Sequence, residues 1–320
     1  MAILTNFTDC RTYDTMIRKL LSFIAAGMLA LTSCSGSADP DDKSGSDEPY
    51  YINVMQFNIR YLNNEDTGDT HWTVRKNAVK ALLNDLCPDV IGINEARTTQ
   101  RTDLKALLPQ YTLIEVPNTG TSSGGNVNLM FLTDKFRLME SKSFYLSDTP
   151  NRQSYTWDST QKQYHVCLWA HLQDNVTGKD FYVFATHYNL GSSDVDIKAK
   201  TNSTNLILSR IDEVTAGNTS APVFIMGDMN ASLESGDSRS VSLKPYLENG
   251  FKNARTSALS KDDTVSYNGF SDKARDQKNN IDFIFYKNVT GMTFRTVTQS
   301  YGGVKYVSDH WPVTLNAMTF

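Results

Sequence analysis

Apolar and polar residues alternate through Tyr51-Ile-Asn-Val-Met-Gln-Phe-Asn58, the period of a strand with one buried face. The period then changes. Val74, Ala78, Ala81, Leu82 and Leu86 recur at helical spacing, and Pro88 marks the stop. Asp89-Val-Ile-Gly-Ile93 is a short apolar run of the buried-strand kind. A second helix is predicted around residues 103–108. Strand-like segments follow at 111–116, 127–132, 136–145, 164–172 and 181–186. Residues 198–214 read as a helix and 222–226 as a strand, and 281–286, 292–298 and 312–316 close the chain as strands. No internal repeat or linker interrupts this body. Many strands with a few interleaved helices predict one α+β domain over residues 50–320, two packed sheets with helices outside.

What precedes the body has a different character. Met16-Ile-Arg-Lys-Leu-Leu-Ser-Phe-Ile-Ala-Ala-Gly-Met-Leu-Ala-Leu-Thr-Ser-Cys34 has a basic start, an apolar run and a small-residue close. Residues 1–33 therefore read as a secretory signal, with Met16 the expected true start. Leu31-Thr32-Ser33-Cys34 resembles a bacterial lipobox, in which Cys34 carries lipid and becomes the first residue. Residues 34–49 are Ser, Gly, Asp and Pro without apolar periodicity, a composition that predicts a flexible acidic tether. The expectation is a lipid-anchored protein of the cell envelope, at the outer membrane or surface of a Gram-negative bacterium, touching the membrane only through its anchor.

Composition narrows the partners. Of the 320 residues 40% are hydrophobic, enough for a sizeable core. The net charge of -4 is uneven: from Pro49 onward 27 basic residues stand against 28 acidic ones. A nearly neutral body offers no broad basic face for duplex nucleic acid, so nucleic acid is not the favoured partner. A nuclease is not excluded, because a bound cation can supply charge at a phosphate. Beyond Cys10 and Cys34 only Cys87 and Cys167 remain, and either a disulfide or two buried thiols is compatible with the sequence. A monomer is expected.

Candidate chemistry gathers in short segments at predicted strand edges. Phe57-Asn58-Ile59-Arg60, Ile93-Asn94-Glu95, Ala185-Thr186-His187, Met226-Gly227-Asp228-Met229-Asn230 and Ser308-Asp309-His310 each read as a strand end followed by acid, amide or imidazole. Asn280-Ile281-Asp282-Phe283 sets an acid at a strand start. Singly, each segment is ordinary: Gly-Asp-x-Asn is also a tight turn, and an Asp-His pair is more often a surface or capping pair. Together, and in this order, they would place carboxylates and amides on one rim, where a hard cation could bind with waters filling its shell.

The body resembles the endonuclease/exonuclease/phosphatase superfamily, above all bacterial secreted members with Phe-Asn-Ile-Arg-Tyr near the start and Ser-Asp-His-Trp-Pro-Val near the end. The resemblance covers roughly residues 50–320 and implies a four-layer α/β/β/α sandwich. It implies Glu95 as the main metal ligand, with Asn58 beside it and Asp309 as a further carboxylate. The implied cation is Mg²⁺, with Mn²⁺ or Ca²⁺ as alternatives. Asp228 would orient or deprotonate the attacking water and Asn230 would bind a phosphate oxygen. His310, paired with Asp282, would face the phosphate, and His187 would donate to a nonbridging oxygen. The implied reaction is in-line hydrolysis of a phosphoester, a diester slightly ahead of a monoester, on a small phosphoester or a phosphorylated lipid or glycan. A sugar- or inositol-phosphate phosphatase is the alternative within the class, and a non-catalytic glycan- or lipid-binding lipoprotein the alternative outside it. Asn94, His165, Asn280 and the Tyr188-Asn189-Leu190 run depart from the usual pattern. They are expected near the phosphate or substrate, so they leave the substrate open. Trp72 reads as loop packing ahead of a substrate platform. The polar loops 117–126 and 260–280, with Phe270, Arg275 and Lys278 in the second, could rim the site.

Overall fold

The opening alternation becomes strand β1 (Tyr50–Asn58). Its Tyr50, Ile52 and Val54 enter the layer between two sheets, while Met55 and Phe57 turn to the other face, as a side-chain period of two dictates. A computed structural model describes residues 49–116, 126–157 and 163–319. The leader, Cys34, the tether through residue 48 and nearly all of the 117–126 loop lie outside the described residues.

The remaining strands are β2 (Val90–Asn94), β3 (Tyr111–Glu115), β4 (Val127–Leu132), β5 (Phe136–Tyr145), β6 (Val166–Asp174), β7 (Asp180–His187), β8 (Val223–Asp228), β9 (Lys252–Asn253), β10 (Asp282–Lys287), β11 (Thr290–Thr296) and β12 (Val313–Thr319). The helices are α1 (Trp72–Leu86), α2 (Thr98–Leu107), α3 (Asp194–Thr215), α4 (Lys244–Glu248) and α5 (Ala254–Ser257). One six-stranded sheet runs β11-β12-β1-β2-β4-β3 and the other β5-β6-β7-β8-β10-β9. Each sheet contains one parallel pair, β1 with β2 and β7 with β8, and is otherwise antiparallel. A parallel pair needs a crossover, and α1 and α3 supply the two.

Three apolar clusters define the layers. One fills the space between the sheets. A second, including Val79, Leu82 and Leu83, lies between the first sheet and α1. A third, including Ile207 and Ile211, lies between the second sheet and α3. Helix, sheet, sheet and helix thus stack as four layers, the expected α/β/β/α sandwich. Each fully buried large side chain, Phe57 and Phe184 among them, contributes roughly 1.5–3 kcal/mol of transfer free energy.

The differences from the predicted elements have local causes. Helix α3 begins at Asp194 because Ser193 and Asp196 form a reciprocal capping box. Helix α2 begins at Thr98, where Gln100 reaches back to the Arg97 backbone. α4 and α5 are too short to display a period. Cys167 is a free, buried thiol on β6, while Cys87 closes α1 in a left-handed conformation, so the two do not pair. No helix among the described residues is long and apolar enough to cross a membrane.

Candidate active site

The two parallel pairs set the site. Asn58 ends β1 beside Asn94 at the end of β2. His187 ends β7 beside Asp228 at the end of β8, and antiparallel β10 opposes Asp282 to Asp228. Ser308-Asp309-His310 corrects the expectation that every segment follows a strand, for it precedes β12. β12 is antiparallel to β1, so its beginning lies at the same rim, and the Ser308 hydroxyl donates to the Asn58 carbonyl at 2.7 Å. Gly227 is required by packing: a Cβ there would stand 2.4 Å from the Thr186 carbonyl oxygen. Arg60, Glu95 and Asn230 follow their strands in the left-handed region, at φ 58°, 69° and 46°. The chain turns sharply there and presents their side chains at the rim.

A cleft of about 850 Å³ opens over these termini. Glu95, His187, Asp228, Asn230, Asp309 and His310 all line it, so six of the eight expected site residues share one cavity. The other two, Asn58 and Asp282, are buried behind it. Asp282 Oδ2 accepts from His310 Nδ1 at 2.7 Å and Asp282 Oδ1 accepts from Gln56 Nε2 at 3.3 Å. His310 Nε2 then stands 3.8 Å, and His187 Nε2 3.4 Å, from Asp228 Oδ2. Asn58 Nδ2 donates to the same Asp228 oxygen at 3.1 Å, and the Asn230 backbone N–H donates to Asp228 Oδ1 at 2.9 Å.

Charge follows from these neighbours. Burial disfavours the Asp228 carboxylate, but the two imidazoles and the Asn230 N–H outweigh it and hold the group below the usual carboxylate range. Burial likewise opposes the charged forms of His187 and His310. Asp228 overrides it at His187, and Asp282 followed by Asp228 overrides it at His310, so both imidazoles are raised. Asp282 is itself raised, by burial and by Asp228 against the opposing pull of His310. An anion thus sits between two imidazoles whose protonated forms it favours. Asp228 is thereby kept as an ionised acceptor on the floor of the cleft.

A second group of carboxylates faces the cleft. Glu95 Oε2 accepts from the Tyr61 backbone N–H at 3.0 Å. Asp309 is raised by burial, with His310 opposing and the Glu95 charge adding to the rise. Two carboxylates at one rim, the charge of Glu95 disfavouring that of Asp309, suit a divalent cation; the Asn58 amide oxygen behind them accepts from the Arg60 N–H at 3.0 Å. The Arg60 guanidinium lies 3.7 Å from Asp309 Oδ2 and pairs with Asp66. Asp228, Asp282 and His310 form a tighter set, with potential ligand atoms all within 4.8 Å of one another. His310 there is raised and bonded to Asp282, an arrangement that suits a hydrogen-bonded relay, while the same three side chains have the donor set of a cation site.

Several expected substrate contacts prove structural. Asn94 is fully buried: its Oδ1 accepts from Gln56 Nε2 at 2.6 Å and from the Asp228 N–H at 3.0 Å, and its Nδ2 donates to the Thr186 carbonyl at 3.0 Å. It stitches the two sheets together. Asn280 is also buried outside the cleft lining. Trp72 is buried at the start of α1 and donates to Asp103, the packing role. His165, Tyr188 and Leu190 do line the cleft, as does Lys278 of the 260–280 loop, but not Phe270 or Arg275. Sequence reasoning missed Arg60, Tyr61, Arg97, Arg239, Tyr155 and Tyr164 as lining residues. Arg60 and Tyr61 had a usable signal, since they continue the Phe57-Asn58-Ile59 motif. Tyr155 and Tyr164 lie in the loop between β5 and β6, Arg97 caps α2 and Arg239 sits in a short 3-10 turn, none with an apolar period.

Two mixed sheets faced by helices, with acids and imidazoles at one rim, define a DNase I-like sandwich of the phosphoesterase kind. The chain belongs to the endonuclease/exonuclease/phosphatase family, whose model matches residues 55–310. It is similar to an endonuclease/exonuclease/phosphatase family protein from Bacteroides thetaiotaomicron, 24% identical over 85% of this chain and 99% of that one, TM-score 0.73. It is also similar to a mannosyl-6-phosphatase of the same organism, 25% identical over 84% and 100%, TM-score 0.72. The human Nocturnin catalytic domain with bound sulfate shares the fold at 18% identity over 83% and 93%, TM-score 0.60. Comparison with curated protein sequences finds no match.

Proposed function

We propose that the protein hydrolyses the phosphate ester of a small sugar or related polyol with the help of a divalent cation, Mg²⁺ first. The observation that carries this reading is the buried Asp228 carboxylate held between His187 and His310, with Asp282 behind, on the floor of a bounded cleft. A binding scaffold has no need of two raised imidazoles around an ionised acid.

In this reading Asp228 accepts a hydrogen bond from the attacking water and fixes its line of approach. His310 and His187 donate to the phosphoryl oxygens, where negative charge grows as the new P–O bond forms and the ester bond breaks; the water's proton passes by way of Asp228 to the departing oxygen, which leaves as the alcohol. The Asn230 amide donates to the Tyr188 carbonyl at 2.9 Å and lies 3.1 Å from His187 Nε2, so in this reading it positions that imidazole and would turn its second N–H to a phosphoryl oxygen when the phosphate binds. Glu95, Asp309 and the Asn58 amide oxygen would hold the cation, which supplies positive charge against the phosphate and lowers the barrier to attack. The sugar reading draws on the similarity to the mannosyl-6-phosphatase and on a cleft large enough for a phosphate and a sugar ring. It moves the monoester ahead of the diester.

The test is a panel of hexose phosphates, inositol phosphates, glycerol phosphate, simple diesters, sphingomyelin, RNA and plasmid DNA, with Mg²⁺ and with chelator. Sugar phosphates turned over only with the cation support the reading. Turnover confined to diesters or nucleic acid rejects the substrate class, and hydrolysis undiminished by chelation rejects the cation. The lipobox-like Leu31–Cys34 segment supports placing this activity on a lipid-anchored envelope protein.

A further inference from the structure

The cleft changes character along its length, and strand order sets the change. The second sheet runs β5-β6-β7-β8-β10. The loop between β5 and β6 brings Tyr155, Gln163 and Tyr164 to the cleft, the end of β7 brings Leu190, and β8 brings Asp228. The approach to β10 brings Lys278. An aromatic end and a cationic end therefore flank the catalytic centre. Tyr155 and Tyr164 stack with ring centroids 4.6 Å apart and planes 10° from parallel, and Tyr145 meets Tyr164 edge-on at 6.1 Å. The Thr156 N–H donates to the Gln163 carbonyl at 3.0 Å, tying the two sides of the loop together. Yet Tyr155 remains 45% and Leu190 60% exposed. Large apolar groups left open on the wall of a catalytic cleft mark a surface that a ligand covers.

We propose that Tyr155, backed by Tyr164 and flanked by Leu190, is the platform on which the sugar ring of the leaving group lies. The inference rests on the sugar-phosphate reading above. A pyranose ring has an apolar C–H face and a polar rim. A fixed phenol offers the first a flat partner at little entropic cost, and the Gln163 amide on the same wall offers hydrogen bonds to the second. A nucleobase would also stack, but a polynucleotide brings further phosphates. Among the described residues, the loop between β5 and β6 and the end of β7 bring no lysine or arginine to the cleft lining. Its His165 is neutral, since burial and the neighbouring His187 push it down to about 3. The geometry therefore suits an uncharged ring.

The test compares wild type with Tyr155→Ala and Tyr155→Phe in the full chain, using a hexose 6-phosphate and the ringless glycerol phosphate. Tyr155→Ala should lower the hexose-to-glycerol preference in kcat/KM by roughly 3- to 10-fold, mainly through KM, the range of a single aromatic contact. Tyr155→Phe, which keeps the ring, should keep the preference. Leu190→Ser, read in the same way, guards against a loop that simply refolds, and should also lower the preference. Proportionate losses on both esters in Tyr155→Ala and Leu190→Ser would overturn the platform and leave the functional reading standing. Wild-type protein that cleaves other phosphoesters but no hexose phosphate would overturn both.

Discussion

Replacing Asp282 by Asn keeps its shape and removes its charge, which isolates what the acid does for His310. The two are 2.7 Å apart and both are buried. A hydrogen bond between charged partners contributes about 1.5–3 kcal/mol, or roughly 1–2 units of imidazole pKa. His310 is raised by Asp282 and then Asp228, so its cationic form persists through neutral pH and is lost only as pH rises past the raised value. Asp282→Asn should therefore move the alkaline limb of kcat/KM downward by about that 1–2 units, because Asp228 at 3.8 Å still supports the cation. His310→Ala should cost on the order of 100-fold or more in rate, through loss of a donor to the growing charge. The double variant should be little slower than His310→Ala alone, since the pair acts as one unit. Steady-state rates from about pH 5 to 10 on one sugar phosphate decide the matter. An unmoved alkaline limb in Asp282→Asn, or losses that multiply in the double variant, would refute the pairing.

Glu95→Gln should raise the Mg²⁺ concentration for half-maximal activity by at least about tenfold with a smaller change at saturating metal; an unchanged titration would remove Glu95 from the cation site. Arg75 is fully buried and donates to the carbonyls of Thr70, Ile59, Val307 and Arg60. Arg75→Met should thus destabilise by about 3–5 kcal/mol, a fall of roughly 10 °C in Tm by calorimetry, and a shift under about 3 °C would contradict that anchoring role. Cys34→Ala should abolish incorporation of a fatty-acid analogue and detergent partitioning, and wild-type protein that takes up no label would end the lipoprotein reading.

The fold was legible wherever one face of an element is buried. β4 was bounded correctly because its apolar run is flanked by turn residues; β5 has the predicted bounds although only Phe136 and Phe144 of it are buried. Helix starts were missed by several residues, since capping by Ser193 or Arg97 adds polar residues that carry no apolar period. At the site, convergence was legible because polar groups recur at strand boundaries; the ends of the two parallel pairs and the starts of the antiparallel β10 and β12 fall on one rim. Which of them touch the cleft was not, because burial depth depends on long-range partners: Asn94 looks like a substrate contact in sequence and is locked by Gln56, Asp228 and Thr186 instead. The aromatic wall was invisible for a related reason. Tyr155 and Tyr164 stack only because the loop between β5 and β6 closes on itself.

The same rim concentrates the costs of the fold. Arg60, Glu95 and Asn230 occupy the left-handed region without being glycine, at about 1 kcal/mol or more each. Asp309 is raised partly by the Glu95 charge, and Asp282 partly by the Asp228 charge. Elsewhere the sandwich offsets such costs by burying Phe57, Phe184, Phe224 and Phe283 between or outside well-ordered strands. Strand ends are the one place where both conditions meet. The backbone is fixed up to the last ladder bond, and the next residue is free to take an unusual turn. A cation beside Glu95 and Asp309, or an anionic phosphate beside His187 and His310, would offset the repulsion within each pair. Binding is then favoured by a strain already present in the fold, and the groups need no rearrangement to meet the charge they stabilise.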